Sequence, residues 1–123
     1  MGKKIKEQTD DLLIDVIVEA IQDKKGEQIV KIDLRDIKST LCDYFIICQG
    51  ESNTKVNSLA DNIEKQTYLK LNTQPHHIEG RSNSQWILLD FFSVIVHVFQ
   101  GEYREFYKLE DLWCDGKIEI IAG

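Results

Sequence analysis

The sequence predicts an α/β fold, a single domain with a mixed sheet of about five strands flanked by helices. Three observations predict it. Residues 85–91 and 93–99 are two nearly continuous apolar runs of strand length joined by a short turn, which reads as a hairpin deep in a sheet. A long amphipathic stretch opening at Ser52 supplies a crossover helix between an earlier strand and that hairpin. The periodicities follow the order α-β-β-α-β-β-β-α, with no repeat and no linker. At 123 residues, 42% of them hydrophobic, the chain is long enough to bury one core without disulfide or metal staples.

Residues 1–8 are lysine-rich and read as a flexible N-terminus. Thr9 or Asp10 can cap a first helix, whose stripe is Leu12, Leu13, Val16, Ile17, Ala20 and Ile21. Asp10 and Asp11 suit its positive end, and Lys24, Lys25 and Gly26 suit the other. Residues 29–34 read as a strand, 35–40 as a polar turn, and 43–49 as a second, buried strand closed by Gly50. In the helix from Ser52, Val56, Leu59, Ala60, Ile63, Thr67 and Leu71 share one face. Pro75 ends any helical continuation and starts an extended piece through Glu79, and 80–84 is a loop. After the hairpin come a short helix at 101–107 and a turn at 109–112. Residues 116–123 read as a C-terminal tail in which Ile118, Ile120 and Ile121 have no evident partner.

The formal net charge of -6 disfavours a face that holds nucleic acid by its phosphates and favours a basic protein partner. Cys42, Cys48 and Cys114 are odd in number and form no C-x-x-C pair, so they read as structural thiols. No apolar run is long enough to span a bilayer, no signal-peptide core is present, and Lys6 stands where a myristoylation motif needs Ser or Thr. A soluble, cytoplasmic protein is expected.

Gly50-Glu51-Ser52 lies at a strand-to-helix junction, where backbone N–H groups can hold phosphate. One glycine is no glycine-rich loop, however, and Glu51 repels phosphate, so a plain helix start is expected. Metal-dependent nucleotidyl transfer needs two carboxylates two residues apart on a strand, and Asp33 is followed there by Arg35, Asp90 by Phe92. His76 and His77 are neighbours on an extended segment and point to opposite faces, so they cannot chelate one ion. His97 and Asp90 sit in apolar sequence on paired strands, some rungs apart; a histidine bonded to a neighbour is expected there rather than a catalytic one. No catalytic residue, metal site or cofactor is expected. Between Trp86 and Trp113 the aromatics are dense enough that some, Trp86 or Tyr107 first, can anchor a partner.

At these residues the chain resembles the ribosomal silencing factor family, also called Iojap-like. The resemblance rests on Cys42-Asp-Tyr-Phe-Ile-Ile-Cys-Gln-Gly50, Ser52, Val56 through Ala60-Asp61, and Glu79-Gly80. It continues through Trp86-Ile-Leu-Leu-Asp90, Val94-Ile-Val-His-Val98, Arg104, Tyr107 and Leu109-Glu-Asp-Leu-Trp113. It places the family domain at residues 9–115. One departure is Phe92-Ser93, where the family commonly has Gly-Asp at the hairpin turn; Phe92 is expected to cover the sheet edge or join an interface.

The resemblance implies a nucleotidyltransferase-like fold without the active site. It also implies a translational repressor that binds the large ribosomal subunit through large subunit protein fourteen and sterically blocks subunit joining. Trp86, Asp90, His97, Arg104 and Tyr107 are then the candidate contact or contact-supporting residues. Little direct nucleic-acid contact is expected, and exposed aromatics allow a homodimer of the free protein. The rival readings are a nucleotidyl- or phosphoryl-transfer enzyme and a ribosome-assembly factor touching ribosomal RNA.

Overall fold

A computed structural model describes residues 2–37, 42–107 and 116–121. Helix α1 (Gly2–Asp23) precedes strands β1 (Glu27–Asp33) and β2 (Tyr44–Gly50). Helix α2 (Asn53–Leu71) leads to β3 (His77–Glu79), β4 (Trp86–Asp90) and β5 (Val94–Gln100). Helix α3 (Gly101–Tyr107) and strand β6 (Lys117–Ile121) complete the order. The six strands form one sheet in the order β3-β4-β5-β2-β1-β6. Among the described residues only β2 and β5 are parallel, because α2 carries the chain back across the sheet between them; every other described pair is antiparallel.

Period-two alternation divides the core into two layers. Ile29, Tyr44, Ile46, Cys48, Ile87, Leu89, Val94, Val96 and Val98 meet the stripes of α1 and α2 on the first face. Val30, Ile32, Phe45, Ile47 and Phe99 make a smaller cluster on the second, with Trp86, Ile95 and Tyr103 packed against it. Among the described residues the second face has less helix over it.

Helix α2 follows its sequence closely. Ser52 Oγ accepts the Lys55 amide at 3.1 Å, and Asn72 takes the left-handed conformation after the last turn (φ 50°). Thr67 is buried on the apolar face because its hydroxyl donates to the Ile63 carbonyl at 2.9 Å. Asn62 is buried too, its amide donating to the Ala20 carbonyl of α1 at 2.8 Å.

Several sequence expectations are corrected. The first helix begins at Gly2, not at a Thr9 or Asp10 cap, so the segment read as flexible has a helical backbone; its Lys, Glu and Gln residues are good helix formers. Asp10 lies inside the helix, buried, and accepts the Ser93 hydroxyl at 2.7 Å. Leu12 points to solvent, off the stripe, whereas Ile14 is buried. At the end of α1 the left-handed residue is Lys25 (φ 59°); Gly26 serves close packing, since a Cβ there would come within 2.3 Å of Ile21 Cγ2. The tail is strand β6, paired with β1 from Ile29↔Ile121 to Asp33↔Lys117, so the sheet has six strands. Its Lys-Ile-Glu-Ile-Ile alternation is too short to separate from irregular sequence without β1 beside it. Strand β4 is interior but not buried on both faces: Ile87 and Leu89 are buried, while Trp86, Leu88 and Asp90 are half-buried. The turn expected at 109–112, Trp113 and Cys114 lie outside the described residues.

Candidate functional site: an aromatic sheet face

Along β4, Trp86, Leu88 and Asp90 face one way, and the register sets them beside Phe99, His97 and Ile95 of β5. Phe45, Ile47 and Gln49 of β2 continue the same surface, opposite Ile95, His97 and Phe99. The indole of Trp86 stacks on Phe99 with ring centroids 5.0 Å apart, and its Nε1–H donates to His97 Nδ1 at 3.0 Å. Phe45 meets His97 edge-to-face at 4.7 Å. A half-buried tryptophan is thus held from two sides, its orientation set before any partner arrives.

His97 is 4% exposed. Because Nδ1 accepts the indole proton, the neutral ring carries its own proton on Nε2, which is buried without a hydrogen-bond partner. Burial among apolar rings pushes its pKa down to about 3. A histidine that stays neutral at physiological pH orients Trp86 but cannot shuttle protons there. Cys48 and Cys42 are likewise unreactive, burial raising their thiols to about 12 and about 11.

Two features upstream position Trp86. Gly80 has φ 92°, and a Cβ there would lie 1.9 Å from the Trp86 carbonyl oxygen. Glycine at position 80 is therefore required by the close pass of the two segments. The loop that follows is pinned to α2: Arg81 pairs with Asp61 at 3.0 Å and with Glu64, and Asn57 donates to Ser84 Oγ.

The other sequence-derived candidates have different tasks. Asp90 is two register positions from the rung of His97, and its Oδ1 accepts the Phe92 amide at 2.7 Å. This local bond closes the hairpin turn with Phe92 at φ 72°. The turn is anchored through the Ser93 carbonyl, which accepts the Asp43 and Tyr44 amides at 2.8 and 3.0 Å. Phe92 therefore takes the conformation that glycine adopts freely; its ring is 63% exposed and lies 3.5 Å, centroid to centroid, from His76. Arg104 is buried and donates to the Gln28 carbonyl at the β1 bulge and to Gln49 Oε1, tying α3 to the sheet. Tyr107 is the last residue of α3, and its side chain lies outside the described residues. The structure thus joins Trp86 with His97, and sets Asp90 and Arg104 to bracing the frame. Sequence reasoning did not single out Leu88, Ile95 and Phe45, although the alternations 86-88-90, 95-97-99 and 45-47-49 carry them.

At the C-terminal ends of the parallel strands β2 and β5, where open α/β sheets commonly bind ligands, there is a cleft of about 350 Å³. Its lining includes Glu27, Glu51 and Glu102, and no Lys or Arg among the described residues. Such a wall repels phosphate. Millimolar magnesium with each ribonucleoside triphosphate is therefore expected to leave the thermal midpoint unchanged, and a rise that saturates with one nucleotide would refute this. Among the described residues no group of three or more His, Cys, Asp or Glu could hold a metal ion. None of their helices is long and apolar enough to cross a membrane.

Helices α1 and α2 cover one side of the sheet; among the described residues the other carries only the short α3 and is aromatic and partly open, which defines an open-faced α/β domain. Residues 6–121 match the family described as "Ribosomal silencing factor during starvation", and the chain belongs to that family. A ribosomal silencing factor of Halalkalibacterium halodurans is 36% identical over 111 residues, covering 90% of this chain and 93% of that one. A crystallised protein of Chromobacterium violaceum superposes with a TM-score of 0.79 at 28% identity, covering 92% of both chains. A mouse protein named "Mitochondrial assembly of ribosomal large subunit protein 1" is 30% identical over 116 residues, covering 89% of this chain and half of its own length.

Proposed function

We propose that this protein is a cytoplasmic translational repressor without catalytic activity. It binds the large ribosomal subunit through large subunit protein fourteen, on the surface that meets the small subunit, and so prevents the subunits from joining. The observation that carries this reading is the braced, half-buried Trp86 on a partly open sheet face, with Leu88 and Ile95 further along the same face. A pre-oriented aromatic anchor amid apolar surface is the usual centre of a protein interface. The net charge of -6 favours a basic ribosomal protein over RNA phosphates. Membership in a family named for ribosome silencing supports the same reading. The free protein also self-associates.

A standard interface takes roughly 800 Å² from each partner, which a domain of this size can offer. The remaining bulk of the bound protein fills space the small subunit requires. Purified protein added to separated subunits is therefore expected to lower the yield of joined ribosomes, saturating near one copy per large subunit. Ribosomes already joined resist, because their site is covered. Replacing Trp86 together with Tyr107 abolishes the effect. Normal joining at saturating protein, or preferential binding to small subunits, would refute the proposal.

The name of the mouse relative favours a second reading, assembly of the large subunit. Deleting the gene separates the two: an assembly factor leaves incomplete large subunits in a sucrose gradient, whereas a repressor leaves complete ones and too many joined ribosomes.

A further inference from the structure

Trp86 is the first residue of β4, a strand of five residues, and the end of a short strand is where fraying starts. What holds it there reaches over from the helical layer. Asn57, Asp61 and Glu64 follow an i, i+4, i+7 spacing, so they form one ridge of α2, beside the apolar stripe that packs the helix on the first sheet face. All three bond to the segment 80–85 that leads into Trp86. Arg81 donates to Asp61 Oδ1 at 3.0 Å and to Glu64 Oε1, a cation shared between two carboxylates. The Asn57 amide uses both its hydrogens, one on the Asn53 carbonyl at 3.1 Å and one on Ser84 Oγ. Ser84 is buried and left-handed (φ 57°), a conformation that costs a non-glycine residue free energy. Its hydroxyl donates in turn to the Arg81 carbonyl at 3.2 Å, and its amide to the Gly80 carbonyl at 3.1 Å. The strained turn is closed on itself and moored to the helix.

We propose that this ridge of α2 sets the affinity of the Trp86 face for its partner from the far side of the sheet, by keeping the first residue of β4 from fraying. The inference rests on the reading that Trp86 meets the large subunit. It adds that residues of the helical layer, behind the face the partner contacts, decide how well the anchor binds. With the moorings in place the indole stands stacked on Phe99 and bonded to His97. Without Arg81, the entry to β4 keeps the Ser84 bonds and the bond from the Gln100 amide to the Gln85 carbonyl at 2.9 Å, and in a fraction of the molecules the indole is displaced. Apparent affinity falls in proportion to the competent fraction. Linkage makes the effect reciprocal, so a bound partner tightens the segment 80–85.

The test compares the wild type with Arg81→Gln, which removes both ion pairs. A third protein combines Arg81→Glu with Glu64→Arg, which again puts a cation between two acids. In the free full chain, solvent exchange of the Trp86 indole Nε1–H is followed by heteronuclear NMR, its signal identified as the one missing from Trp86→Phe. Arg81→Gln should exchange this proton roughly threefold to tenfold faster, the range expected when one ordered side chain comes loose, and should bind large subunits more weakly by the same factor. Its thermal midpoint should stay close to that of the wild type, because the three charged side chains are partly exposed and such pairs add little to global stability. The charge-exchanged double variant should recover both readouts. Arg81→Lys keeps the charge but reaches one acid, so it should fall between, and it replaces Arg81→Gln if that chain does not fold. In the wild type, bound large subunits should slow amide exchange across residues 80–85.

Unchanged indole exchange in Arg81→Gln, faster exchange with wild-type binding, or a double variant that recovers neither readout would overturn the proposal. So would a fall in midpoint large enough to account for the faster exchange, which marks a general structural role. A wild type that does not bind large subunits refutes the function proposed above and the affinity claim with it, whereas the indole exchange still decides whether the ridge holds Trp86.

Discussion

Acidification from pH 6.5 towards pH 4 destabilises the protein, and His97→Gln removes most of that sensitivity. The unfolded chain binds a proton on His97 near the ordinary histidine value of 6.5, whereas the folded protein resists until about 3. Between those values the unfolded state holds more protons, so stability falls as pH falls and is fully present above 6.5. The slope approaches about 1.4 kcal/mol per pH unit. Carboxylates act lower: Arg35 at 2.8 Å holds Asp33 below its usual value, so the stability it contributes is lost only as pH falls below 3.8. Glutamine does not titrate, and its side-chain oxygen can still accept from Trp86. Urea unfolding at a series of pH values measures the effect directly. Parallel acid limbs for wild type and variant would show that His97 is not the responsible group.

Replacing Trp86 with alanine is expected to cost both stability and affinity. The stack on Phe99 and the bond to His97 belong to the fold, so truncation should cost about 2–3 kcal/mol of unfolding free energy. It also leaves Nδ1 of His97 as a second unpaired buried nitrogen. Trp86 is half-buried, and loss of its exposed part should weaken large-subunit binding by on the order of 2 kcal/mol or more. Leu88→Glu separates the two effects, because Leu88 lies on the same face and takes no part in the described brace around His97. It should abolish binding with little loss of stability. Full affinity in Trp86→Ala would remove the aromatic face from the mechanism.

The elements legible in the sequence are those whose signal is local. Helix α2 announced itself through the Ser52 cap and the spacing from Val56 to Leu71, and both are realised. Strand β2 was legible because all but one of its residues are buried, which makes an apolar run too long to read as a loop. The hairpin was legible, but the exposure of its outer face was not. Leu88 and Leu89 are the same residue type with opposite environments, and only the neighbouring layer distinguishes them.

The candidate site divides in the same way. Trp86, Asp90 and His97 were singled out by residue type and context, and Arg104 by the family resemblance, yet their tasks differ. Asp90 closes a turn, Arg104 ties a helix to a bulge, and His97 steadies Trp86. Nothing in the order of residues tells a surface anchor from a buried brace, because that depends on what lies above the sheet.

By itself the sequence determined the fold class, most of the elements and the family resemblance, because capping, period-two and period-3.6 patterns and motif spacings all act within short stretches of chain. Only the tertiary structure decided that residues 117–121 make a sixth strand, that one sheet face stays partly open, and that His97 lies buried beside the tryptophan it orients. Those outcomes depend on hydrogen bonds and burial between segments far apart in sequence, such as β1 with β6 and β4 with β5, which exist only once the layers have come together.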